Sequence, residues 1–164
     1  MNKKPFSKLK KSIESLFVPE LKMEFCCYAY PIRGQWGTHN SIPRFCVKLE
    51  KEIIWDFPKD FKKELSEFSF YNWAATNHIS DLVRDYIDTP VEKLMTKKFK
   101  LEKTGYIVQY LGQRKQDMFV FNYNLIPLFI AADRRLGKEK LIEWFVKQNN
   151  NSVQKILEKR FTML

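Results

Sequence analysis

The chain has 164 residues with 29 Lys+Arg against 19 Asp+Glu, a net charge of +10, and 45% hydrophobic residues. At this length a folded domain buries roughly two-thirds of the surface its unfolded chain exposes, so no disulfide or metal staple is required. With no apolar run near the roughly 18 to 20 residues of a bilayer span, composition excludes a disordered tail, a disulfide scaffold and a membrane-inserted protein.

From Phe6 to Phe17, Phe6, Leu9, Ile13, Leu16 and Phe17 recur at helical spacing opposite a polar face, which predicts an amphipathic helix that ends before Val18-Pro19. Lys22 to Tyr30 alternates Met23, Phe25, Cys27 and Ala29 with polar neighbours and reads as a half-buried strand. Pro31 to Pro43 contains two glycines and reads as a loop. Arg44–Leu49 and Glu52–Phe57 predict an antiparallel hairpin turning at Glu50-Lys51, with Phe45, Val47, Leu49, Ile53, Trp55 and Phe57 on one apolar face.

Asn72 to Ile87 sets Ala75, Ile79, Leu82, Val83, Tyr86 and Ile87 on one helical stripe. Thr89-Pro90-Val91-Glu92 has the pattern of a capping box with proline at the first helical position, predicting a short new helix. Tyr106–Leu111 and Met118–Tyr123 suggest a second strand pair, although buried helix would give similar apolar runs. Three short helices follow: Leu125–Leu136, stopped by Gly137 in a left-handed turn; Lys138–Gln148; and a last one after Asn149–Asn151, N-capped at Ser152 and carrying Val153, Ile156, Leu157 and Phe161. The expected fold is α+β, a small antiparallel sheet packed with an N-terminal helix and a C-terminal cluster of short helices. It forms one domain over 1–164 with a basic arm at 1–5.

The charge is concentrated. Residues 1–11 carry five lysines and no acid, and residues 96–115 carry six basic residues against Glu102, whereas residues 12–95 are net acidic. Lys8, Lys10 and Lys11 in the first cluster, with Lys97, Lys98 and Lys100 in the second, are candidate contacts for an anionic partner. The first cluster lacks an apolar h-region and so is not a secretory signal. Cys26, Cys27 and Cys46 are odd in number and have no CxxC spacing, so reduced structural thiols in a cytosol are expected. Cys26 and Cys27 would point to opposite faces of a strand.

The densest constellation is Asp133-Arg134-Arg135-Leu136-Gly137-Lys138. Arg134, Arg135, Lys138 and Lys140 could clamp an anion, because guanidinium forks match phosphate or carboxylate. Alternatively Asp133 and Gly137 brace the helical third, which is the assignment preferred here; arginines adjacent on a helix point about 100° apart, so one at most shares the side of Asp133. No nucleotide-loop, zinc-protease or hydrolase-elbow motif occurs. The two histidines, His39 and His78, lack a neighbouring nucleophile, and His39 with Asp133 would be the pair for an enzyme of unrecognised type. No metal or cofactor is implied.

Phe6-Ser7-Lys8-Leu9-Lys10 and Asp133-Arg134-Arg135-Leu136-Gly137-Lys138 resemble an uncharacterised family of small bacterial proteins. That family opens with an aromatic-Ser-Lys-Leu-Lys helix and carries Asp-Arg-Arg-x-Gly-Lys near its end. The chain departs from the pattern at Glu139, where the family has another base, and in its aromatic stretch between Gly105 and Tyr123. The resemblance implies a stand-alone cytosolic bacterial protein and no particular reaction. Taken together, the residues point to a non-catalytic interaction module with a protein partner. The alternative is a nucleic-acid-binding protein using the basic clusters at 3–11 and 97–115.

Overall fold

A computed structural model describes residues 6–31, 41–57, 69–97, 125–148 and 150–162. The expected strand pair between Tyr106 and Tyr123, His39, Lys98 and Lys100 lie outside them. Helix α1 (Phe6–Glu14) is followed by a 3-10 turn (Pro19–Leu21) and strands β1 (Met23–Pro31), β2 (Ser41–Leu49) and β3 (Glu52–Phe57). Then come α2 (Ser69–Asp88), a 3-10 turn (Val91–Lys93), α3 (Leu125–Ala132), α4 (Lys138–Phe145) and α5 (Asn151–Thr162). The strands form an antiparallel sheet in the order β1-β2-β3, and the fold is α+β.

Glu50 and Lys51 both hold positive φ, 47° and 72°, as a two-residue type I′ hairpin turn requires. The register then shifts between Val47 and Lys48, so Val47 faces Trp55 while Lys48 faces Ile53. This bulge corrects the expected apolar face. Phe45, Val47 and Leu49 are buried; the two-residue turn itself sets Ile53 opposite Lys48, where it is 47% exposed, and the extra residue Ile54 then brings Trp55 and Phe57 opposite Val47 and Phe45.

Buried rings carry the sheet's inner face into the helical layer. Phe25 stacks on Phe45 at 5.8 Å and meets Phe129 of α3 edge-on at 5.7 Å, and Phe129 in turn meets Tyr86 of α2 at 5.3 Å. Ile79, Leu82 and Val83 bury the same stripe of α2 as Tyr86, as its helical period predicts. Edge-on and offset rings at these separations add to the area they bury.

Helix α1 closes the outer edge of β1. The Phe25 amide donates to Glu14 Oε2 at 2.9 Å, and the Phe25 carbonyl accepts from Lys10 Nζ at 3.2 Å, while the two side chains pair with each other at 2.6 Å. An i,i+4 ion pair thus supplies the donor and acceptor that a further strand would have offered, and it blocks that edge from pairing with another chain.

Helices α3 and α4 end at Ala132 and Phe145, short of the expected Leu136 and Gln148, and capping differs from expectation at three places. Thr89 does not open a new helix; its hydroxyl donates back to the Asp85 carbonyl at 2.6 Å, and Pro90 takes the cap position of the 3-10 turn. Helix α5 is capped by Asn150, not Ser152: Asn150 Oδ1 accepts from the amides of Ser152 and Val153 at 2.9 and 3.3 Å. Ser152 Oγ donates instead to the Ile54 carbonyl at 2.6 Å and fixes α5 to β3. Gly137 has φ −83° and ψ 165°, so it is no left-handed stop for α3 but the extended N-cap residue of α4.

Two stability outcomes follow from these contacts. Glu14→Ala leaves the buried Phe25 amide without its acceptor and is expected to lower the unfolding free energy by about 1–3 kcal/mol. Gly137→Ala adds a Cβ with nothing within 4 Å at an unstrained φ. The unfolded-chain entropy it removes, about 0.4–1 kcal/mol, offsets the poorer N-cap preference of alanine, so it is expected to fall within about 0.5 kcal/mol of the parent. Urea denaturation of both variants measures each difference.

Candidate functional site

The segment following α3 is built around a buried carboxylate. Asp133 is 0% exposed, and a charge so placed must be paired and hydrogen-bonded to be tolerated. Its Oδ1 accepts from Arg135 Nε at 2.9 Å and from the Arg135 amide at 3.0 Å; its Oδ2 accepts from an Arg135 terminal nitrogen at 2.7 Å and from the Tyr86 hydroxyl at 2.7 Å. Burial, reinforced by Asp133, pushes the Tyr86 hydroxyl well above the usual tyrosine range, which keeps it a donor. The bond to Asp133 raises the Arg135 guanidinium still further, against its partial burial.

The surrounding backbone is tied in from other elements. The Val18 amide donates to the Ala132 carbonyl at 2.9 Å and the Arg134 amide to the Leu16 carbonyl at 2.7 Å, a short antiparallel bridge of Phe17 with Asp133. Arg134 turns away from Asp133, and its Nε donates to the Ser15 carbonyl at 2.9 Å. Arg160 of α5 is buried and gives its guanidinium to the carbonyls of Ala131, Asp133 and Leu136 at 2.8, 3.0 and 2.5 Å. These acceptors lie at and just beyond the C-terminal end of α3, where carbonyls lose their helical partners and the helix dipole favours a cation. Burial lowers the pKa of Arg160, and the Asp133 carboxylate opposes that shift.

Tyr86 and Arg160 complete this junction, and neither was among the residues selected from the sequence. For Tyr86 the periodicity marked burial but carried no sign of the hydroxyl's partner. For Arg160 a signal existed: Val153, Ile156, Leu157 and Arg160 continue one buried stripe, and an arginine on such a stripe needs buried acceptors.

The anion-clamp candidates divide. Arg135 is held by Asp133 and Arg134 reaches Ser15. Lys138 and Lys140 are exposed and, with Arg135, Gly137 and the two acids Glu92 and Glu139, line a cleft of about 390 Å³. The α4 N-terminus opens there with no side-chain cap on its first amides. Lys138 Nζ also lies 5.6 Å from the Phe161 ring centroid. Along α4, Leu141 is buried, whereas Ile142 and Val146, one turn apart, are 46% and 80% exposed.

The nucleic-acid candidates are partly spoken for. Lys10 bonds Glu14 and Phe25, and Lys97 bonds Asp85 at 2.6 Å and Thr89 at 3.0 Å. Lys8 and Lys11 are exposed on α1. Asp133, the acid of the enzyme alternative, is enclosed by Tyr86 and Arg135. Among the described residues no group of three or more His, Cys, Asp or Glu could hold a metal ion, and no helix is long and apolar enough to cross a membrane.

The model of the SF0329 protein family matches residues 5–161. The chain belongs to this family. Comparisons with curated proteins and with solved structures find no match. The matched span includes both the α1 segment and the Asp133 junction.

The junction orders the effects of substitution. Asp133→Ala strands the buried Tyr86 hydroxyl and unpairs Arg135, with an expected loss of about 3 kcal/mol. Arg134→Ala leaves its backbone bond to Leu16 in place and is expected to cost under about 1 kcal/mol. Chemical denaturation of the two variants beside the parent checks the order.

Proposed function

We propose that this chain is a non-catalytic interaction module of the bacterial cytosol, and that it binds an acidic segment of a protein partner at the surface around α4. The observation that carries the reading is the arrangement along one short helix. Its uncapped N-terminus and the flanking Lys138 and Lys140 suit a carboxylate, and the apolar side chains of Ile142 and Val146 stand in solvent one to two turns further on. A carboxylate-bearing segment with an apolar residue beside it would satisfy both parts, with the charge guiding encounter and the apolar contact slowing release. Lys10, Lys97 and Arg135 are engaged in internal contacts, which takes three cations from those a phosphate-binding surface would draw on and favours a protein over a nucleic acid.

The test uses the full chain as immobilised bait for extract of its source cell, beside Lys138→Glu/Lys140→Glu and Ile142→Asp. All three positions are exposed, so the melting temperature is expected to stay within the range of surface substitutions. The parent is expected to retain one protein in stoichiometric amount, and each variant is expected to weaken that retention by at least about tenfold, equivalent to about 1.4 kcal/mol. Retention unaffected by either variant overturns the reading. So does recovery of nucleic acid alone, released as salt rises from roughly 50 to 200 mM.

A further inference from the structure

Registry between β1 and β2 sets Cys26 directly opposite Cys46. Directly opposed residues of an antiparallel pair project from the same face with Cα atoms about 4.5–5.5 Å apart, within the about 4.4–6.8 Å that a disulfide spans. Cys27 projects to the other face and packs against the core. None of the three thiols is in a disulfide. Cys26 is partly accessible, whereas Cys46 is 1% exposed.

Two ammonium groups flank the Cys26–Cys46 rung. Lys10 Nζ, held by Glu14 and the Phe25 carbonyl, lies 3.9 Å from Cys26 Sγ. Lys48 is opposite Glu24, and its amine reaches Tyr28 Oη at 2.7 Å; on that face the cysteine rung lies between the two residues so joined. Lys48 is raised first by the Tyr28 bond and also by Cys26 and Cys46. Burial pushes the Cys27 thiol up to about 11, which leaves it a poor nucleophile at neutral pH.

We infer that Cys26 and Cys46 form a reversible dithiol–disulfide couple that exchanges with small-molecule disulfides, Cys26 attacking and Cys46 resolving. The Cys26 thiolate displaces one thiolate from the small disulfide, which takes up a proton, and forms a mixed disulfide. Cys46 gives up its proton and attacks the Cys26 sulfur, expelling the second small thiol. The protein loses two electrons and two protons, and the small disulfide becomes two thiols. The product ties β1 to β2 beside the edge that α1 covers.

The experiment treats the full chain with glutathione buffers of graded oxidised fraction, alkylates the remaining thiols and maps the peptides by mass spectrometry. The expected product is an intramolecular Cys26–Cys46 link with Cys27 alkylated, reversed by excess reduced glutathione. Cys46→Ser is expected to accumulate Cys26 bound to glutathione. Cys27→Ser is expected to retain the link, Cys26→Ser to abolish it, and Lys48→Met to slow its formation about threefold or more. A Cys26–Cys27 link, links only between molecules, or no link in the unsubstituted chain at any glutathione ratio overturns the inference. The unsubstituted chain decides this even if a serine variant fails to fold.

Discussion

The buried carboxylate of Asp133 is the constraint on which the arrangement of the helices depends. An unpaired charge there would cost several kcal/mol, so the conformations open to the chain are those that bring donors to it. The donors come from far apart in sequence. The Tyr86 hydroxyl arrives from α2 across 47 residues, and Arg160, on the carbonyl of the same aspartate, from α5 across 27. Arg134 meanwhile reaches 119 residues back to the end of α1. A non-directional apolar core could accept several rotations of these helices, whereas this set of bonds accepts one.

The polar junction and the aromatic core are continuous at Tyr86. Its ring ends the series that begins at Phe45 in the sheet, and its hydroxyl begins the network that ends at Arg160. Helix α5 closes the circuit on the other side, since Ser152, Lys155 and Lys159 bond Ile54, Glu52 and Glu50 around the β2–β3 hairpin. Of these, Lys159 with Glu50 is strong enough to hold the Glu50 carboxyl below its ordinary value, but its Glu50 end is exposed, so it adds little beside the buried junction.

What could be read from the sequence was what periodicity encodes. The stripe of α2, the alternation of β1 and the hairpin at Glu50-Lys51 all depend on nearest neighbours along an element and were legible. The position of Ile53 was not, because the extra residue Ile54 breaks the alternation of β3, so that Ile53 and Trp55, two residues apart, fall on opposite faces of the sheet. Gly137 misled for a related reason: a glycine between two short helices serves equally as the stop of one or the N-cap of the next, and only φ separates them. Asn150 and Ser152 are both good caps, and the choice fell to Asn150 because the Ser152 hydroxyl has an acceptor on β3. Asp133 pairs with Arg135 and Arg134 with a different element, but the segment lies beyond α3 and is not helical, so a helical angular separation does not account for it, and the distant partners have no local signature.

Net charge is a poor guide to the charge a partner would meet. The chain carries an excess of ten positive charges, yet many of its cations are turned inward or matched. Arg160 caps carbonyls, Arg135 neutralises Asp133, Lys10 serves the sheet edge, and Lys97 serves the end of α2. A guanidinium already bonded to a buried carboxylate cannot turn to an external anion without exposing the cost of that burial, so its place in a basic sequence cluster says little about binding. Lys138 and Lys140 differ because they are exposed beside helical amides that no side chain caps, on a helix whose Leu141 anchors it to the core. The electrostatics available for recognition are therefore set by which cations the fold leaves exposed, and around α4 Lys138 and Lys140 adjoin the exposed apolar pair.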